Sequence, residues 1–322
     1  MKDVEITAVS KALPSKVVTN NDLSQIMDTS DEWIKKRTGI SQRHFAEKEN
    51  TSDLASRTAQ KLLDQVSWKS EDLDLIVVAT MSPDSLTPAV ACRVQAQIGA
   101  KNAVAFDLSA ACSGFSYALE VARSMMIASN FNKAMVIGAE VISKLLDFRD
   151  RSTAVLFGDG SGGVLLERST ESHFLASKLQ TFGELGNRIV AGEMKVADDF
   201  QKNAHKFSSF EMDGREVYHF ATHEVPATIL ETSKEAGIEL ADIDYFILHQ
   251  ANSRIVKQVA KKLKQPEAKF PINISQYGNT AAASEAILLS ECVEDGLIKK
   301  GNIVALCGFG GGLTTAVEII RF

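Results

Sequence analysis

Apolar and polar positions alternate in the same order twice along the chain. From Ser52 to Val66 the residues Leu54, Ala55, Ala59, Leu62, Leu63 and Val66 fall at helical spacing, and beyond the polar Glu71-Asp72 the run Leu73 to Thr80 predicts a buried strand. In the second half Val225 to Ala236 predicts a helix, and Ala241-Asp242 leads into a strand over Ile243 to Gln250. The separation between Asp72 and Asp242, 242 − 72 = 170, recurs between Gly138 and Gly308, each of which closes an apolar run. One offset at two distant places predicts a single α/β unit used twice, with halves at 1–170 and 171–322. Elsewhere, Val4 to Val9 predicts an opening strand, and the cap residues Thr19 to Asp22 precede a short helix over Leu23 to Met27. Asn102 to Phe106, bounded by polar residues, predicts a buried strand, and Phe115 to Ile127 a helix.

Between that strand and that helix stands Asp107-Leu108-Ser109-Ala110-Ala111-Cys112-Ser113-Gly114. Small residues on both sides of Cys112 permit a tight turn and leave its sulfur open. A helix start, with free N–H groups and a positive dipole end, favours the nucleophilic thiolate. On this stretch alone, a buried cysteine serving as a small hydrophobe fits as well. The repeat supplies what faces it. Asn279, in Tyr277-Gly278-Asn279-Thr280-Ala281-Ala282-Ala283-Ser284, lies close to the repeat offset from Cys112 in another turn that opens a small-residue helix. His249 closes the repeated strand, and α/β sheets place functional side chains beyond the carboxyl ends of their strands. The other histidines, 44, 173, 205, 219 and 223, lack such a setting and are read as surface or satisfied core groups.

Two glycine runs, Phe157 to Gly163 and Cys307 to Gly312, lack the spacing and the Lys-Ser/Thr end of a phosphate loop, and each leads into a strand. The second suits close backbone approach to an oxygen that becomes negative. The first reads as a hairpin turn. Trp33 and Arg37, four residues apart after the cap Ser30, share a helix face that can stack on a base and hold phosphates, although a surface helix with an inward tryptophan is the plainer reading. Segment 183–211 has weak periodicity and reads as an irregular cover over a channel.

Composition narrows the class. The 322 residues include 45% hydrophobic and 24% charged residues, ordinary values for a globular chain. No apolar stretch is long enough for a membrane helix, and no leader precedes the first strand, so a cytoplasmic protein without membrane contact is expected. Four cysteines (Cys92, Cys112, Cys292, Cys307) without a C-x-x-C pair fit a reducing compartment. The formal charge of -6 argues against nucleic-acid binding.

Asp107 to Phe115, His249-Gln250-Ala251-Asn252, Gly278-Asn279-Thr280 and Gly308 to Gly312 together resemble the β-ketoacyl-acyl-carrier-protein synthase III family, whose members open dissociated fatty acid synthesis. Thr29 to Ile34, Arg37 to Ile40 and Asp150 to Thr153 extend the resemblance over almost the whole length. It implies a thiolase-like α/β fold, two duplicated halves in five αβαβα layers, and a homodimer. It implies decarboxylative condensation of an acyl-CoA, acetyl-CoA first among them, with malonyl carrier protein, and no metal or redox cofactor. Cys112 corresponds to the acyl-accepting nucleophile, and His249 and Asn279 to the donors that stabilise the malonyl-derived enolate. The amides of Cys112 and Gly311 correspond to the oxyanion hole. Trp33, Arg37, Arg151, Gly214, Ala251 and Asn252 correspond to coenzyme A contacts, and Thr87 and Phe309 to the acyl pocket.

Arg254, Lys257, Lys261 and Lys264 step along one face of a predicted helix beside His249, a basic stripe on an acidic chain that suits an acidic carrier protein better than a plain solvated face. Departures also count. Thr87 stands where the family often has Phe at the partner subunit's acyl pocket, which weakens a strict acetyl preference. Glu285 brings a charge close to Asn279, and His219 occupies a place often taken by lysine. A thiolase would need a second cysteine at Gly308, and Cys307 points to the opposite face of a strand. A papain-like protease lacks this duplicated glycine-rich pattern. A non-catalytic acyl-CoA or carrier-binding module would not require an intact Cys112, His249 and Asn279.

Overall fold

The computed structural model describes residues 3–194, 196 and 208–322. The first half contains β1 (Asp3–Ala12), β2 (Lys16–Thr19), α1 (Asn20–Leu23), α2 (Asp31–Thr38), β3 (Gln42–Phe45), α3 (Thr51–Leu63) and β4 (Leu75–Ala79). It continues through α4 (Val90–Gln97), β5 (Val104–Leu108), α5 (Gly114–Ala128), β6 (Lys133–Glu140) and β7 (Gly160–Ser169). The second contains β8 (Phe174–Thr181), β9 (Ile189–Val190), β10 (Glu211–Met212), α6 (Gly214–Ala236), β11 (Tyr245–Leu248) and α7 (Ser253–Leu263). It ends with α8 (Ile274–Tyr277), α9 (Ser284–Glu294), β12 (Ile303–Gly310) and β13 (Thr314–Arg321).

Two sheets form, ordered β1-β7-β6-β4-β5 and β11-β12-β13-β8. The central strand β4, Leu-Ile-Val-Val-Ala, is buried along its whole length between parallel neighbours, as a continuous apolar run requires. Helices α3 and α4 cover the outer face of the first sheet, and α6 and α7 that of the second. Helices α5 and α9 lie between the sheets in one shared core, where Phe115, Leu119, Leu288 and Leu289 meet Val77, Val136, Val304 and Leu306. The order is therefore α-β-α-β-α, the thiolase-like arrangement.

The repeat has a backbone signature. Tight turns at Ala111–Ser113 and Ala281–Ala283 precede α5 and α9, and both Ala111 and Ala281 take a positive φ, 46° and 44°. Alanine pays roughly 1–2 kcal/mol for that conformation, so packing must hold it there. The packing is an interlock of the two halves. A Cβ on Gly138 of β6 would stand 2.2 Å from the carbonyl oxygen of Ala282, and one on Gly308 of β12 would stand 2.8 Å from Cα of Ser113. Each half's strand glycine receives the other half's turn.

Several expectations need correction. β5 is not buried: it is the free edge of its sheet, and Val104 is 48% exposed. The first glycine run is not a hairpin. It follows a long connection from β6, and Gly158, Gly160 and Gly162 admit Tyr277, Ile287 and Ala286 of the second half. Helix α1 begins at Asn20, because Thr19 and Asp22 form a capping box three residues upstream of the expected start. Helix α6 runs from Gly214 through Pro226, since a large buried face outweighs one missing N–H. Of the expected cover, Gly183–Arg188 and the β9–β10 pair are seen, while residues 195 and 197–207 lie outside the described residues. No helix among the described residues is long and apolar enough to cross a membrane.

Gly138→Ala should lower stability by ~3 kcal/mol or more, because its methyl meets backbone rather than a yielding side chain. Thermal melting against a Gly183→Ala control, which faces open space, checks this.

Candidate active site

Cys112, His249 and Asn279 arrive from three segments and line one cavity of about 380 Å³. Each is almost wholly buried. The β4–β5 layer and α5 deliver Cys112, the carboxyl end of β11 delivers His249, and the turn ahead of α9 delivers Asn279. Backbone bonds from Asn279 N–H to Leu156 O (2.8 Å) and from Gly158 N–H to Asn279 O (3.0 Å) pin the last of these to the opposite half.

The hydrogen-bond network decides what the two polar side chains offer. Oδ1 of Asn279 accepts the Ala281 N–H at 2.9 Å, so its NH₂ group is left to donate into the cavity. Ser284 Oγ accepts the Gln250 N–H at 3.0 Å and lies 2.6 Å from His249 Nδ1. With the Ser284 hydroxyl assigned as donor to Nδ1, the proton of the neutral imidazole is on Nε2. Burial holds the His249 pKa down at about 3, so the ring is neutral. Phe309 packs edge-on against it, ring centroids 5.1 Å apart. The site thus presents two uncharged donors.

At the sulfur, the nearby backbone N–H groups of Gly311 and of Cys112 itself favour the charged form. Thr314 Oγ1 links the two segments, 2.7 Å from Ser113 Oγ and donating to Gly311 O at 3.2 Å. Burial opposes the thiolate that the helix start favours at Cys112. Burial, aided by the nearby Glu140 and Glu285, pushes its pKa up to about 12 and outweighs the amides.

Arginines surround Trp33 at the outer end of the cavity, with the guanidinium carbons of Arg37 and Arg151 at 4.8 and 5.3 Å from its ring centre. Gly214, Ala251, Asn252 and Phe309 also line the wall. Asn252 caps α7 and donates from Nδ2 to Arg37 O at 3.1 Å, joining the two sides of the opening. Arg254, Lys257 and Lys261 form an adjoining groove with Tyr218, on the face of α7 opposite the buried Ile255, Val256, Val259 and Leu263. Arg254 also donates to the Lys36 carbonyl. Thr87 stays apart from the cavity, exposed on the loop before α4. Phe157, Phe210, Ile189 and Met212 line the apolar wall near Cys112; Phe157, Phe210 and Ile189 are not marked as site residues in the sequence, because single apolar residues in irregular segments carry no periodic signal.

This geometry can now be set beside known proteins. The family profile described as 3-oxoacyl-[acyl-carrier-protein (ACP)] synthase III matches residues 106–183, and its C-terminal companion matches residues 233–322. The β-ketoacyl-[acyl-carrier-protein] synthase III of Limosilactobacillus reuteri is 55% identical over the full length of both chains. The chain belongs to the 3-oxoacyl-[acyl-carrier-protein] synthase III family. The similarly named protein of Streptococcus sanguinis is 49% identical over 99% of each chain. Among solved structures, the synthase III of Aquifex aeolicus superposes with a TM-score of 0.92 at 40% identity, covering 99% of this chain and 100% of that one. A priming β-ketosynthase of a polyketide pathway gives 0.93 at 29%, covering 99% and 96%. Membership makes the protein an acyltransferase of the condensing type that acts at the initiating condensation of fatty acid synthesis.

With the thiol pKa raised above its ordinary value, ionisation is delayed to higher pH, so alkylation of Cys112 by iodoacetamide should keep rising past the range in which a free cysteine levels off. Peptide mass mapping of Cys112 against pH measures this. A plateau near ~8.5, the value for a free thiol, would contradict it.

Proposed function

We propose that this chain condenses an acyl-CoA primer with malonyl carrier protein through an acyl group on Cys112. One observation carries the reading: a sulfur with two backbone N–H groups nearby shares a buried, mostly apolar cavity with two neutral side-chain donors. Acyl transfer forms a C–S bond to Cys112 and releases coenzyme A as a thiol, while the amides of Cys112 and Gly311 hold the carbonyl oxygen as it becomes negative. The malonyl thioester then places its carbonyl between His249 Nε2–H and Asn279 Nδ2–H. Breaking the C–C bond releases CO₂ and leaves an enolate, which neutral donors stabilise without protonating the carbanion. Attack on the acyl-cysteine gives the 3-oxoacyl carrier protein. No step calls for a metal or redox cofactor.

The opening supports the choice of substrates. Trp33 with Arg37 and Arg151 offers a stacking surface and positive charge for a nucleotide phosphate. The cavity from there to Cys112 accommodates a pantetheine arm, lined by Gly214, Ala251 and Asn252. The Arg254, Lys257 and Lys261 face suits an acidic carrier protein. Acetyl is the primer proposed first, with Phe157, Phe210 and Phe309 bounding the acyl end. Intact mass after incubation with acetyl-CoA should show one acetyl adduct on the wild type and none on Cys112→Ala, and a malonyl carrier protein chase should discharge it. Adducts only from longer or branched acyl-CoA would overturn the acetyl assignment. No adduct from any acyl-CoA would overturn the enzyme reading and leave a binding module.

A homodimer is part of the same proposal. β5 ends its sheet with backbone groups of Ala105 directed away from β4, and Val104 and Leu86 are exposed on that side. Pairing two such edges about a two-fold axis removes both free edges and would bring Thr87 to the partner. Light scattering should give a dimer for the wild type and a monomer for Val104→Lys, which sets like charges along the seam. A monomeric wild type would refute the pairing.

A further inference from the structure

Asn279 can serve the malonyl carbonyl only if its turn is held still, and the segment it is bonded to needs support of its own. In the connection from β6 to β7, residues Val155 to Asp159 form a short span, and Asn279 is bonded at mid-span to Leu156 O and to the Gly158 N–H. Both ends of the span rest on β3. At one end the Asp159 N–H donates to His44 O at 2.8 Å. At the other, Nη2 of the Arg43 guanidinium donates to Val155 O at 2.7 Å. The first support is backbone, and the second is a single side chain.

Arg43 is fully buried, yet among the described residues its partners are all uncharged: Val155 O, Asn20 Oδ1 at 2.8 Å from Nη1 and, at 3.4 Å, Val18 O. Its Nε has none. A guanidinium keeps its charge, and a buried cation without a counter-ion opposes folding. An apolar side chain would fill the volume without that cost, so packing alone does not explain an arginine here. What arginine adds is a rigid fork whose two arms reach different segments. Asn20, also fully buried, fixes the far arm: its Nδ2 donates to Asp31 Oδ1 at 2.9 Å and to Ile40 O at 2.8 Å, which leaves Oδ1 for Arg43. The root of the side chain is engaged as well. A Cβ on Gly158 would lie 3.0 Å, and one on Gly278 3.4 Å, from the Cβ of Arg43, so the segment that carries Asn279 and the segment that receives it both pass directly over this residue.

We propose that Arg43 is a positioning residue for the decarboxylation step: by holding Val155 O it fixes where the Leu156–Gly158 span lies, and with it the direction in which the Asn279 amide faces the malonyl carbonyl. The inference rests on the acyl-cysteine reading above. Cys112 is delivered by β5 and α5, none of whose residues is a hydrogen-bond partner of Arg43, so transfer of the acyl group from coenzyme A does not depend on the fork. The two halves of the reaction therefore respond differently to one substitution.

Rapid quench reads the halves apart, as the rate of acetyl adduct formation from acetyl-CoA and the rate at which malonyl carrier protein discharges that adduct. Arg43→Lys keeps a cation but cannot hold Val155 O and Asn20 Oδ1 together. Its acetylation rate should stay within about twofold of wild type, while its discharge should slow about tenfold or more, as a small misplacement of a reacting partner does. In an Asn279→Ala background the same substitution should slow discharge no further, because Arg43 acts through Asn279. If Arg43→Lys does not accumulate as folded protein, Asn20→Ser serves: it frees the far arm of the fork and should show the same split at about threefold or more. Equal slowing of both halves, an additive loss in the Asn279→Ala background, or a discharge rate equal to wild type would overturn the role of Arg43 and leave the condensation reading intact. A wild type that never acetylates on Cys112 would overturn both.

Discussion

Close approach of backbone to backbone across the two halves is the constraint on which the rest depends. Gly138 and Gly308, 170 positions apart, remove the side chains that would hold each sheet away from the opposite turn. With that space closed, Ala111 and Ala281 are forced into their left-handed conformation. The same turns aim Cys112 and Asn279 at one point, although Asn279 sits three residues ahead of the symmetric equivalent of Cys112. A duplicated frame therefore yields an unsymmetrical pair, sulfur from one turn and amide from the other.

Desolvation governs the chemistry inside that frame. A charge left in this seam costs several kcal/mol unless donors surround it. The resting groups accordingly avoid charge: His249 is neutral, and Cys112 and Glu285 keep their protons. Charge is carried by the substrate and is present only while backbone amides or neutral side chains face it. At Glu140 burial pushes the carboxyl up to about 7 against donors on both oxygens, and its place at the end of β6, beside the loop after β4, suits a fixed anchor.

Much of this was legible in the chain. The 170-residue offset marked the duplicated strands, and Gly138 and Gly308 proved to be the docking glycines themselves. His249 could be found because a strand end is a position that sequence can mark. Other features had no linear signal. An apolar run such as Asn102 to Phe106 says that something covers it, not whether a strand of the same chain does so. Ala111 and Ala281 violate local preference, so only tertiary packing explains them. The helix start at Cys112 is local and visible in sequence, whereas the burial that opposes its thiolate depends on residues from distant segments. Ser284 acts on His249 from 35 positions away, a pairing that only the fold creates.

The shared layer of α5 and α9 also bears on how the chain reaches its native state. Each of these helices is buried against both sheets, so neither half can complete its own core during synthesis. The pairing of β1 with β7, about 150 residues along the chain, must likewise wait for the end of the first half. Such non-local closure slows folding and leaves apolar surface exposed in the interval. The cavity exists only after the last docking step, and catalytic competence therefore reports on assembly of the whole chain.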